Sequence, residues 1–467
     1  MTDTKAIDFK AFEPGIGGDD EGPLYVAHRT IYQQSISGRL RTIKWALLIG
    51  CLAIYYILPF VRWYRGPGRP DQAVLLDIAH ERFYFFWIEI WPQEIYYATG
   101  LLIISAFILF LMNAVAGRVW CGYLCPQTVW TDLFMAVERL CEGDRRERMI
   151  NDSKLLDVEI FARKALKHVL WLMIAWWTGG AWVLYFADAP TLVRELATFQ
   201  APSIAYIWIA ILTFTTYALA GMMREQVCLY MCPWPRIQAA LTDEWALNVT
   251  YRYDRGEPRM SVKQAVKAKA ADEPAGDCIE CRQCVVVCPT GVDIRDGAQL
   301  GCIQCGLCID ACNSVMTKVG RPQGLIAYDN DVNIHRRAKG EDEVYRVIRP
   351  RTVLYALLIV AIATTMLVTL NQRTFTSLAS THDRDDLYVR LSNGGIRNGY
   401  TIRVANKRPQ ARLFLVAVEG IPLATANAIG ASGTMGDWPV IDVGADQTRE
   451  FRLLVTVPPG AKLEAST

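Results

Sequence analysis

"CIECRQCVVVCPTGVDIRDGAQLGCIQCGLCIDAC" occupies residues 278–312 and holds eight of the fourteen cysteines in the chain. The stretch is two copies of the pattern C-x2-C-x2-C-x3-C, the first followed by Pro289 and the second by Asn313. This spacing is typical of bacterial ferredoxins, in which three close thiolates hold one [4Fe–4S] cube and the fourth ligates the neighbouring cube. The stretch therefore predicts a ferredoxin unit with two clusters.

The same spacing predicts which thiols share a cluster. The first set is Cys278, Cys281, Cys284 and Cys312, and the second is Cys288, Cys302, Cys305 and Cys308. Two intervening residues make a short loop that points successive sulfurs at one cube. Zinc is the alternative, but zinc sites pair two C-x2-C units across a longer spacer and would not need a third and fourth thiolate at this interval.

Composition limits the class of protein. The chain has 467 residues, 52% of them hydrophobic, and a net charge of +2, so no basic bias points to nucleic acid. The apolar residues gather into runs near the ~20 residues that span a bilayer as a helix. Residues 1–42 are polar and mixed in charge, unlike a signal peptide. The sequence therefore indicates a membrane protein whose cysteines bind metal and do not form disulfides.

Five runs predict membrane-spanning helices: 45–61, 94–116, 168–187, 203–222 and 352–370. Just before the second run, "FYFFWIEIWP" (83–92) is apolar but too short to cross. We expect it to form an interfacial or re-entrant aromatic segment, or a plain belt of interfacial aromatic residues.

The distribution of Lys and Arg predicts the orientation. The loop between the second and third predicted spans carries nine of these residues, whereas the loop between the third and fourth carries only Arg194. The first of these loops, the N-terminus and the long insert 223–351 should then be cytoplasmic. Four arginines between positions 62 and 82 lie on the other side and oppose this orientation.

The C-terminal residues change from apolar runs to alternation. "YTIRVAN" (400–406) and "FRLLVTV" (451–457) alternate apolar and polar residues, and Asn393-Gly394 and Asn398-Gly399 supply turn signals. The pattern predicts a small Ig-like β-sandwich. It has no cysteine and one histidine, His382, so we expect a docking or structural module there and no metal site.

Together these signals predict a multidomain membrane protein: an α-helical transmembrane bundle of about five spans with a cytoplasmic bacterial-type 2[4Fe–4S] ferredoxin domain and a C-terminal Ig-like β-sandwich. The expected parts are a cytoplasmic tail (1–42), a four-helix membrane region (43–250), the ferredoxin domain (251–350), a fifth span (351–371) and a periplasmic sandwich (372–467).

A second cysteine repeat lies at the ends of two predicted spans. "CGYLCP" (121–126) and "CLYMCP" (228–233) both read C-x-Y-x-C-P. Because a residue before proline avoids the α region, the second cysteine of each motif should mark a break between two helical segments. The candidate residues are Cys121, Cys125, Cys228 and Cys232.

Three interpretations of these four thiols stay open. Soft thiolates select Cu(I), so the four could hold or pass copper. Each pair could instead cycle between dithiol and disulfide, or the cysteines could only pack at tight helix ends. Arg118 and Arg224 lie just upstream and could stabilise thiolates or serve as ordinary inner-side charges. Cys51 and Cys141 are expected to be packing residues, and the five scattered histidines predict no haem.

The chain resembles the FixG/RdxA/CcoG family of accessory proteins for cbb3-type cytochrome c oxidase. The resemblance rests on "RVWCGYLCPQTVW" (118–130), "CLYMCPWPRIQ" (228–238), the doubled ferredoxin motif, "GLIAYDN" (324–330) and "IRNGYTIRVANK" (396–407). It implies a multi-pass protein of a bacterial inner membrane that reduces Cu(II) to Cu(I) for assembly of that oxidase, with copper as substrate or bound ion.

The partners implied are a cytoplasmic electron donor, a copper transporter or chaperone, oxidase assembly factors and membrane lipid, and a homodimer stays open. Two alternatives remain: a quinol-linked membrane ferredoxin of the nitrate or nitrous oxide reduction type, and a non-catalytic assembly scaffold. The C-terminal sandwich favours the oxidase-assembly interpretation.

Overall fold

The computed structural model describes residues 30–459 apart from 67, 156, 384–387, 409, 422, 437 and 446, so most of the predicted N-terminal tail lies outside it. The chain divides into two compact units, one made of residues 1–63 and 71–363 and the other of 64–70 and 364–467. The helices of the described residues are α1 Arg39–Ile57, α2 Tyr96–Ala116, α3 Val119–Tyr123, α4 Pro126–Glu142, α5 Arg145–Ser153, α6 Val158–Val183, α7 Ala189–Ala197, α8 Ser203–Thr216, α9 Trp234–Leu241, α10 Tyr253–Gly256, α11 Val262–Ala270, α12 Gln283–Val286, α13 Leu307–Lys318, α14 Asp331–Ala338 and α15 Pro350–Gln372.

Four helical stretches of the described residues are long and apolar enough to cross a membrane. They are Arg39–Phe60, Tyr96–Ala116, Ser203–Met223 and Pro350–Gln372. Each coincides with one of the five predicted runs. The third of them starts as α8 and continues as the π-helical segment Tyr217–Met223.

The remaining predicted span, 168–187, overlaps α6, which runs for 26 residues. Helix α6 is not among the four apolar stretches. It carries four tryptophans, and charged residues occupy its first half, so its composition is less apolar than its length suggests. Four apolar helices therefore fit a membrane protein, and the five-span count and the orientation stay predictions.

The aromatic segment 83–92 pairs as strands, so the re-entrant alternative was wrong, and its location at a membrane interface stays a prediction. It forms the second and third strands of an antiparallel meander, β1 Val74–Asp77, β2 Arg82–Phe85 and β3 Ile88–Ile90. Phe85 pairs with Ile88 across a two-residue turn in which Phe86 has φ 51°. Strand pairing satisfies backbone N–H and C=O groups that an irregular apolar segment would leave unpaired.

The cysteine-rich region folds around a two-stranded sheet. Strands β4 Asn248–Tyr251 and β5 Ile326–Asp329 pair antiparallel, with Val249 opposite Tyr328. The predicted domain boundary at 250/251 lies within β4. Helices α12 and α13 pack onto a core that includes three of the cluster cysteines and the fully buried Met316. Burying a side chain of this size contributes about 1.5–3 kcal/mol, so this core fixes the cysteine loops.

The second unit is the predicted sandwich. Its strands are β6 Thr376–His382, β7 Val389–Arg390, β8 Ile396–Asn406, β9 Arg412–Leu415, β10 Thr425–Ile429, β11 Gly433–Met435, β12 Trp438–Val443 and β13 Gln447–Val457. One sheet has the order β10-β13-β8-β6, with β7 also on β8, and the other has the order β11-β12-β9. Alternate residues of both sheets, such as Ile402, Ile441 and Phe451, form a shared core, as the alternation predicts.

Candidate iron–sulfur and thiol sites

The two cysteine runs follow the same backbone path. Glu280 and Gln304 lie two residues after the first cysteine of each run and have φ 59° and 57°. Arg282 and Gly306, directly after the second cysteine, have φ 54° and 73°. Helices α12 and α13 begin at the next residue. Left-handed conformations are costly for residues other than glycine and cluster where a loop holds a ligand. The two runs therefore repeat not only the cysteine spacing but also the backbone conformation.

The first predicted set brings together residues from both runs. Burial, and next the charges of Cys281 and Cys278, raise the pKa of Cys312 to about 12. The last cysteine of the second run is therefore a neighbour of the first cysteines of the first run. This proximity fits the exchange of the fourth ligand that the sequence predicts.

The second predicted set has the mirror arrangement. Burial, and next the charge of Cys288, raise the pKa of Cys302 to about 12. The pKa of Cys308 is held well above its usual range by burial and, to a smaller extent, by the charges of Cys305, Cys302 and Cys288. Cys284 of the first set also acts on Cys308, so the two sets are adjacent.

Backbone N–H groups point at three of the sulfurs. Gln304 donates to Cys302, Leu307 to Cys305 and Ile326 to Cys312, in each case favouring the thiolate. All fourteen cysteines are free thiols. Among the described residues no three His, Cys, Asp or Glu side chains converge into a finished metal site, so the two sets are neighbouring donors and not closed coordination shells. Eight soft sulfurs in two quartets with amide donors fit two [4Fe–4S] groups, which when bound supply one-electron carriers.

The same backbone break precedes both C-x-Y-x-C-P motifs. Gly117 ends α2 with φ 56° and ψ −129°, and Arg224 ends the π-helical segment Tyr217–Met223 with φ 42° and ψ −111°. Each lies four residues before the first cysteine of its motif. An arginine with positive φ is strained, so the fold keeps this break even where the residue is not glycine.

The second cysteine of each motif marks the predicted change of segment. Cys125 and Cys232 are both extended, with φ −60° and ψ 128° for Cys125 and φ −82° and ψ 121° for Cys232. Helix α4 begins at Pro126, directly after Cys125, and α9 begins at Trp234. The break inferred from the prolines is confirmed in both motifs.

The four thiols of the two motifs are mutual neighbours. Burial, and next the charges of Cys125 and Cys228, raise the pKa of Cys121 to about 12. Burial, and next Cys125 and Cys232, raise the pKa of Cys228 to about 12. The sequence left open whether the motifs form one site or two, and these couplings place the four thiols in one neighbourhood, which we call the four-thiol site.

The four-thiol site is closed on one side and open on the other. Cys121 is buried, and its thiol donates to Oε1 of Gln238, with 3.2 Å between Sγ and Oε1. Gln238 is a fully buried residue of α9. Cys232 is exposed. Helix α9 follows the second motif, so the Cys121–Gln238 contact crosses between the two motifs. Soft thiolates in such a site can coordinate Cu(I) or exchange electrons as a dithiol pair.

Helix α3 lies directly against the second ferredoxin loop. A Cβ on Gly122 would stand 2.8 Å from the carbonyl oxygen of Ile303 and 3.0 Å from Cα of Cys305. The Tyr123 hydroxyl donates to the carbonyl oxygen of Cys305 at 3.0 Å, and Tyr328 donates to that of Gln304 at 2.7 Å. The residues beside Cys121 therefore touch the backbone that carries a predicted cluster ligand.

Arg118 lies between the two sites. Its guanidinium donates to the carbonyl oxygens of Leu300 at 2.7 Å, Cys302 at 3.3 Å and Pro235 at 3.0 Å. Its charge favours the thiolate forms of Cys121 and Cys302. The thiolate-stabilising alternative therefore fits Arg118.

Arg224 has a different role. It donates to Oε1 of Glu138 at 2.9 Å and stacks on Trp171 with 5.4 Å to the ring centroid. Although both arginines lie just upstream of a C-x-Y-x-C-P motif, their environments differ. Glu138 also accepts from Arg148 at 2.8 Å, so Arg224 belongs to a buried ion-pair network.

The other residues considered from sequence lie apart from the sites. Cys51 is on α1, Cys141 is buried on α4, and Nδ1 of His168 is 2.9 Å from the Tyr217 hydroxyl. Sequence reasoning missed Gln238 and the close approach of Gly122. The small residue next to Cys121 is a weak signal for such an approach, and Gln238 has none.

The fold and sites define a membrane-associated iron–sulfur electron-transfer protein. Residues 223–331 match a 4Fe-4S dicluster domain, residues 98–140 a 4Fe-4S binding domain, and residues 366–467 the Ig-like fold at the C-terminus of FixG. The C-terminal Ig-like domain is thereby confirmed. No solved structure matches the chain.

The chain is 46% identical to the nitrogen fixation protein FixG of Rhizobium meliloti, over 95% of this chain and 89% of FixG. It is 47% identical to the protein RdxA of Cereibacter sphaeroides, over 94% of this chain and 92% of RdxA. The protein RdxB of the same organism is 46% identical, over 94% of this chain and 91% of RdxB. The chain belongs to the FixG/RdxA family.

Proposed function

We propose that the protein reduces Cu(II) to Cu(I) at the four-thiol site and releases Cu(I) for assembly of a cbb3-type cytochrome c oxidase. Each turnover adds one electron to one copper ion. The electron comes from a cytoplasmic reductant by way of the ferredoxin unit. The single observation that carries the proposal is the contact of Gly122 and Tyr123 with Cys305, which puts the thiols next to a predicted cluster ligand.

The four thiols suit copper in its reduced form. Thiolate sulfur prefers Cu(I) over Cu(II), so a copper ion that gains an electron here is stabilised by its ligands. The exposed Cys232 gives copper a way in, and the buried Cys121 holds the inner side. Because the bare thiols are held protonated by burial, copper binding should release protons.

The setting is part of the proposal. We place the protein in a bacterial inner membrane with the ferredoxin domain on the cytoplasmic side and the Ig-like domain in the periplasm. Cu(I) would pass to a copper transporter or chaperone, and the Ig-like domain would dock assembly factors of the oxidase. The name of FixG connects that relative with nitrogen fixation, a process that this chain would serve through the oxidase.

The test uses full-length protein purified and reduced without oxygen. Adding Cu(II) should oxidise the reduced protein and produce Cu(I), measured with a Cu(I)-specific chelator. We expect the double variants Cys121→Ser/Cys125→Ser and Cys228→Ser/Cys232→Ser to lose at least about tenfold in rate while keeping about eight iron atoms. Cys51→Ser is the matched control and should behave as the parent. Equal rates in parent and double variants would refute the proposal, and oxidation by quinone alone would favour a quinol-linked ferredoxin.

A second occupant of the four-thiol site is favoured by one observation. The 4Fe-4S binding domain matched at residues 98–140 includes Cys121 and Cys125. If these thiols held a further cluster, the purified protein would contain about twelve iron atoms in place of about eight. The double variants would then lose about four. Iron and sulfide analysis of parent and variants therefore separates copper from iron at this site.

A further inference from the structure

A pocket of about 220 Å³ lies beside the ferredoxin unit and has no part in the copper chemistry. It is lined by residues 33–36, by Arg41 and Trp45 of α1, by Arg139 of α4 and by Leu307 of α13. We call it the Arg41 pocket. It is partly open, so a ligand can enter from outside.

Arg41 has a donor without a partner. The residue is 7% exposed, and its Nη1 donates to both carboxylate oxygens of Asp132 at 2.9 and 2.8 Å. Its Nη2 is buried and finds no acceptor among the described residues. An unsatisfied buried donor costs about 1–3 kcal/mol and more when it is charged. Such a group on a pocket wall indicates a ligand that accepts the hydrogen bond.

The charges around the pocket favour an anion. Arg41 and Lys44 share the single carboxylate Asp132, with Lys44 at 3.7 Å. Of the other nearby carboxylates, Asp144 is engaged by the Ser35 hydroxyl at 2.7 Å and by two backbone N–H groups. Asp310 accepts from the backbone N–H groups of Leu40 and Arg41. Within the described part of the chain, the guanidinium of Arg139 donates only to Gln33 Oε1, at 3.3 Å.

The guanidinium of Arg139 is repelled by that of Arg41. Burial, and next the charge of Arg41, lower the pKa of Arg139, against the smaller opposing effect of Asp132. The three nearby carboxylates, Asp132, Asp144 and Asp310, already have hydrogen-bond partners. A bound anion would offset this repulsion.

The location points to the membrane surface. Trp45 lies near the start of the apolar stretch Arg39–Phe60, and the Arg41 guanidinium stacks on it with 4.6 Å to the ring centroid. Tryptophan is enriched at the level of lipid headgroups, and basic pockets beside membrane helices bind anionic headgroups. The pocket combines both features.

The pocket is also joined to the second cysteine set. Leu307 on its wall lies between Cys305 and Cys308 in the chain. The backbone N–H of Arg41 donates to Asp310, two residues beyond Cys308, at 2.8 Å. A ligand at Arg41 would therefore be in contact with the helix that carries two predicted cluster ligands.

We propose that the Arg41 pocket binds a phosphate oxyanion. Arginine presents paired N–H donors that match phosphate, and two arginines with the Gln33 amide surround the space. The phosphate can be the headgroup of an anionic phospholipid or free inorganic phosphate, and the two sources share this chemistry.

The test compares full-length protein in nanodiscs of phosphatidylcholine with and without phosphatidylglycerol, and in detergent with inorganic phosphate. Thermal stability and native mass spectrometry report binding. The variant is Arg139→Gln, and the matched control is Arg163→Gln, an exposed arginine of α6 that pairs with Glu159. Arg41→Lys, which keeps a charge for Asp132 but removes Nη2, is the second variant if Arg139→Gln does not fold.

We expect the parent and Arg163→Gln to bind phosphatidylglycerol about tenfold more tightly than Arg139→Gln, an effect of about 1.4 kcal/mol. If inorganic phosphate alone shows this difference, the pocket binds free phosphate and the proposal still holds. Equal binding by the parent, Arg139→Gln and Arg41→Lys to both probes overturns it. The readouts involve no copper, so failure here is distinct from failure of the proposed reductase activity.

Discussion

The two C-x-Y-x-C-P motifs share a sequence pattern but lie in different surroundings. In the first, Cys121 and Tyr123 are buried and Gly122 packs against the loop of Cys305. In the second, Cys232 is exposed and Tyr230 is 71% exposed. Both motifs contribute thiols to one site, but only the first donates a hydrogen bond to the ferredoxin backbone through its tyrosine.

The backbone conformation is set within each motif, whereas its contacts are set by the residues packed around it. The extended cysteine before proline occurs in both copies because the restriction is local to the X-Pro bond. The first motif approaches the backbone of the ferredoxin loop through Gly122, whereas Leu229, at the same position of the second copy, packs with its side chain beside Gly301. We infer that the first motif makes the hydrogen-bonded connection to the ferredoxin backbone and that the second supplies the exposed side of the four-thiol site.

The largest effect is expected when a methyl group is added at Gly122. In Gly122→Ala the new Cβ would stand 2.8 Å from the Ile303 carbonyl oxygen, a backbone atom that cannot move aside cheaply. We expect a loss of about 3 kcal/mol in unfolding free energy, at the upper end for overpacking. Copper reduction should also slow, because α3 is pushed away from the Cys305 loop. Chemical denaturation and the Cu(I) assay measure the two effects.

Gly180→Ala is the matched control. Gly180 lies in α6, and a Cβ there meets nothing within 4 Å. Replacing a helical glycine by alanine without a clash should stabilise by up to about 1 kcal/mol. The two glycine variants should therefore change stability in opposite directions. A Gly122→Ala protein as stable as the parent would mean that the two sites do not touch as described.

The next effect concerns charge. The residue three positions before the first cysteine is Arg118 in the first motif and Glu225 in the second. Arg118 acts on Cys121 and Cys302, whereas Glu225 acts on Cys228. Removing the positive charge in Arg118→Gln should make reduction of the Cys302 cluster harder and lower its potential by on the order of tens of millivolts. Potentiometric EPR titration measures this shift.

Glu225→Gln is the paired variant for that titration. It also removes one buried charge, but one that acts on Cys228. The potential of the Cys302 cluster should then stay within a few millivolts of the parent value. Equal shifts in both variants would show that the potential responds to any buried charge and not to the position of Arg118.

Several features of the fold follow from sequence because they are local. The cysteine spacing predicts the ferredoxin loops, the prolines predict the breaks at Cys125 and Cys232, and alternation predicts the sandwich. Four of the five predicted spans coincide with the apolar helices. Each of these signals is a constraint within a few residues, so no knowledge of distant contacts is needed to read it.

The rest depends on distant contacts. The aromatic segment 83–92 pairs as strands because β1, outside the segment, supplies a partner. The approach of Gly122 to Cys305 joins positions far apart in the chain, and the Arg41 pocket combines three helices and a loop. Helix α6 contains four tryptophans, which make it less apolar than the four apolar stretches but do not interrupt the helix. No pattern within one segment contains this information.

The smallest effect is expected from one hydroxyl group. Tyr123→Phe removes the hydrogen bond to the Cys305 carbonyl oxygen and the 3.2 Å contact with the Tyr328 hydroxyl. Losing a buried hydrogen bond while its acceptor stays buried costs about 1–2 kcal/mol. Tyr230 is the same residue of the same motif but is exposed, so Tyr230→Phe should change the unfolding free energy by less than about 0.5 kcal/mol. Denaturant titration of the two variants measures the difference. If the two substitutions cost the same, the asymmetry between the motifs is not energetic, and the connection to the ferredoxin unit must be assigned to Gly122 and Arg118 alone.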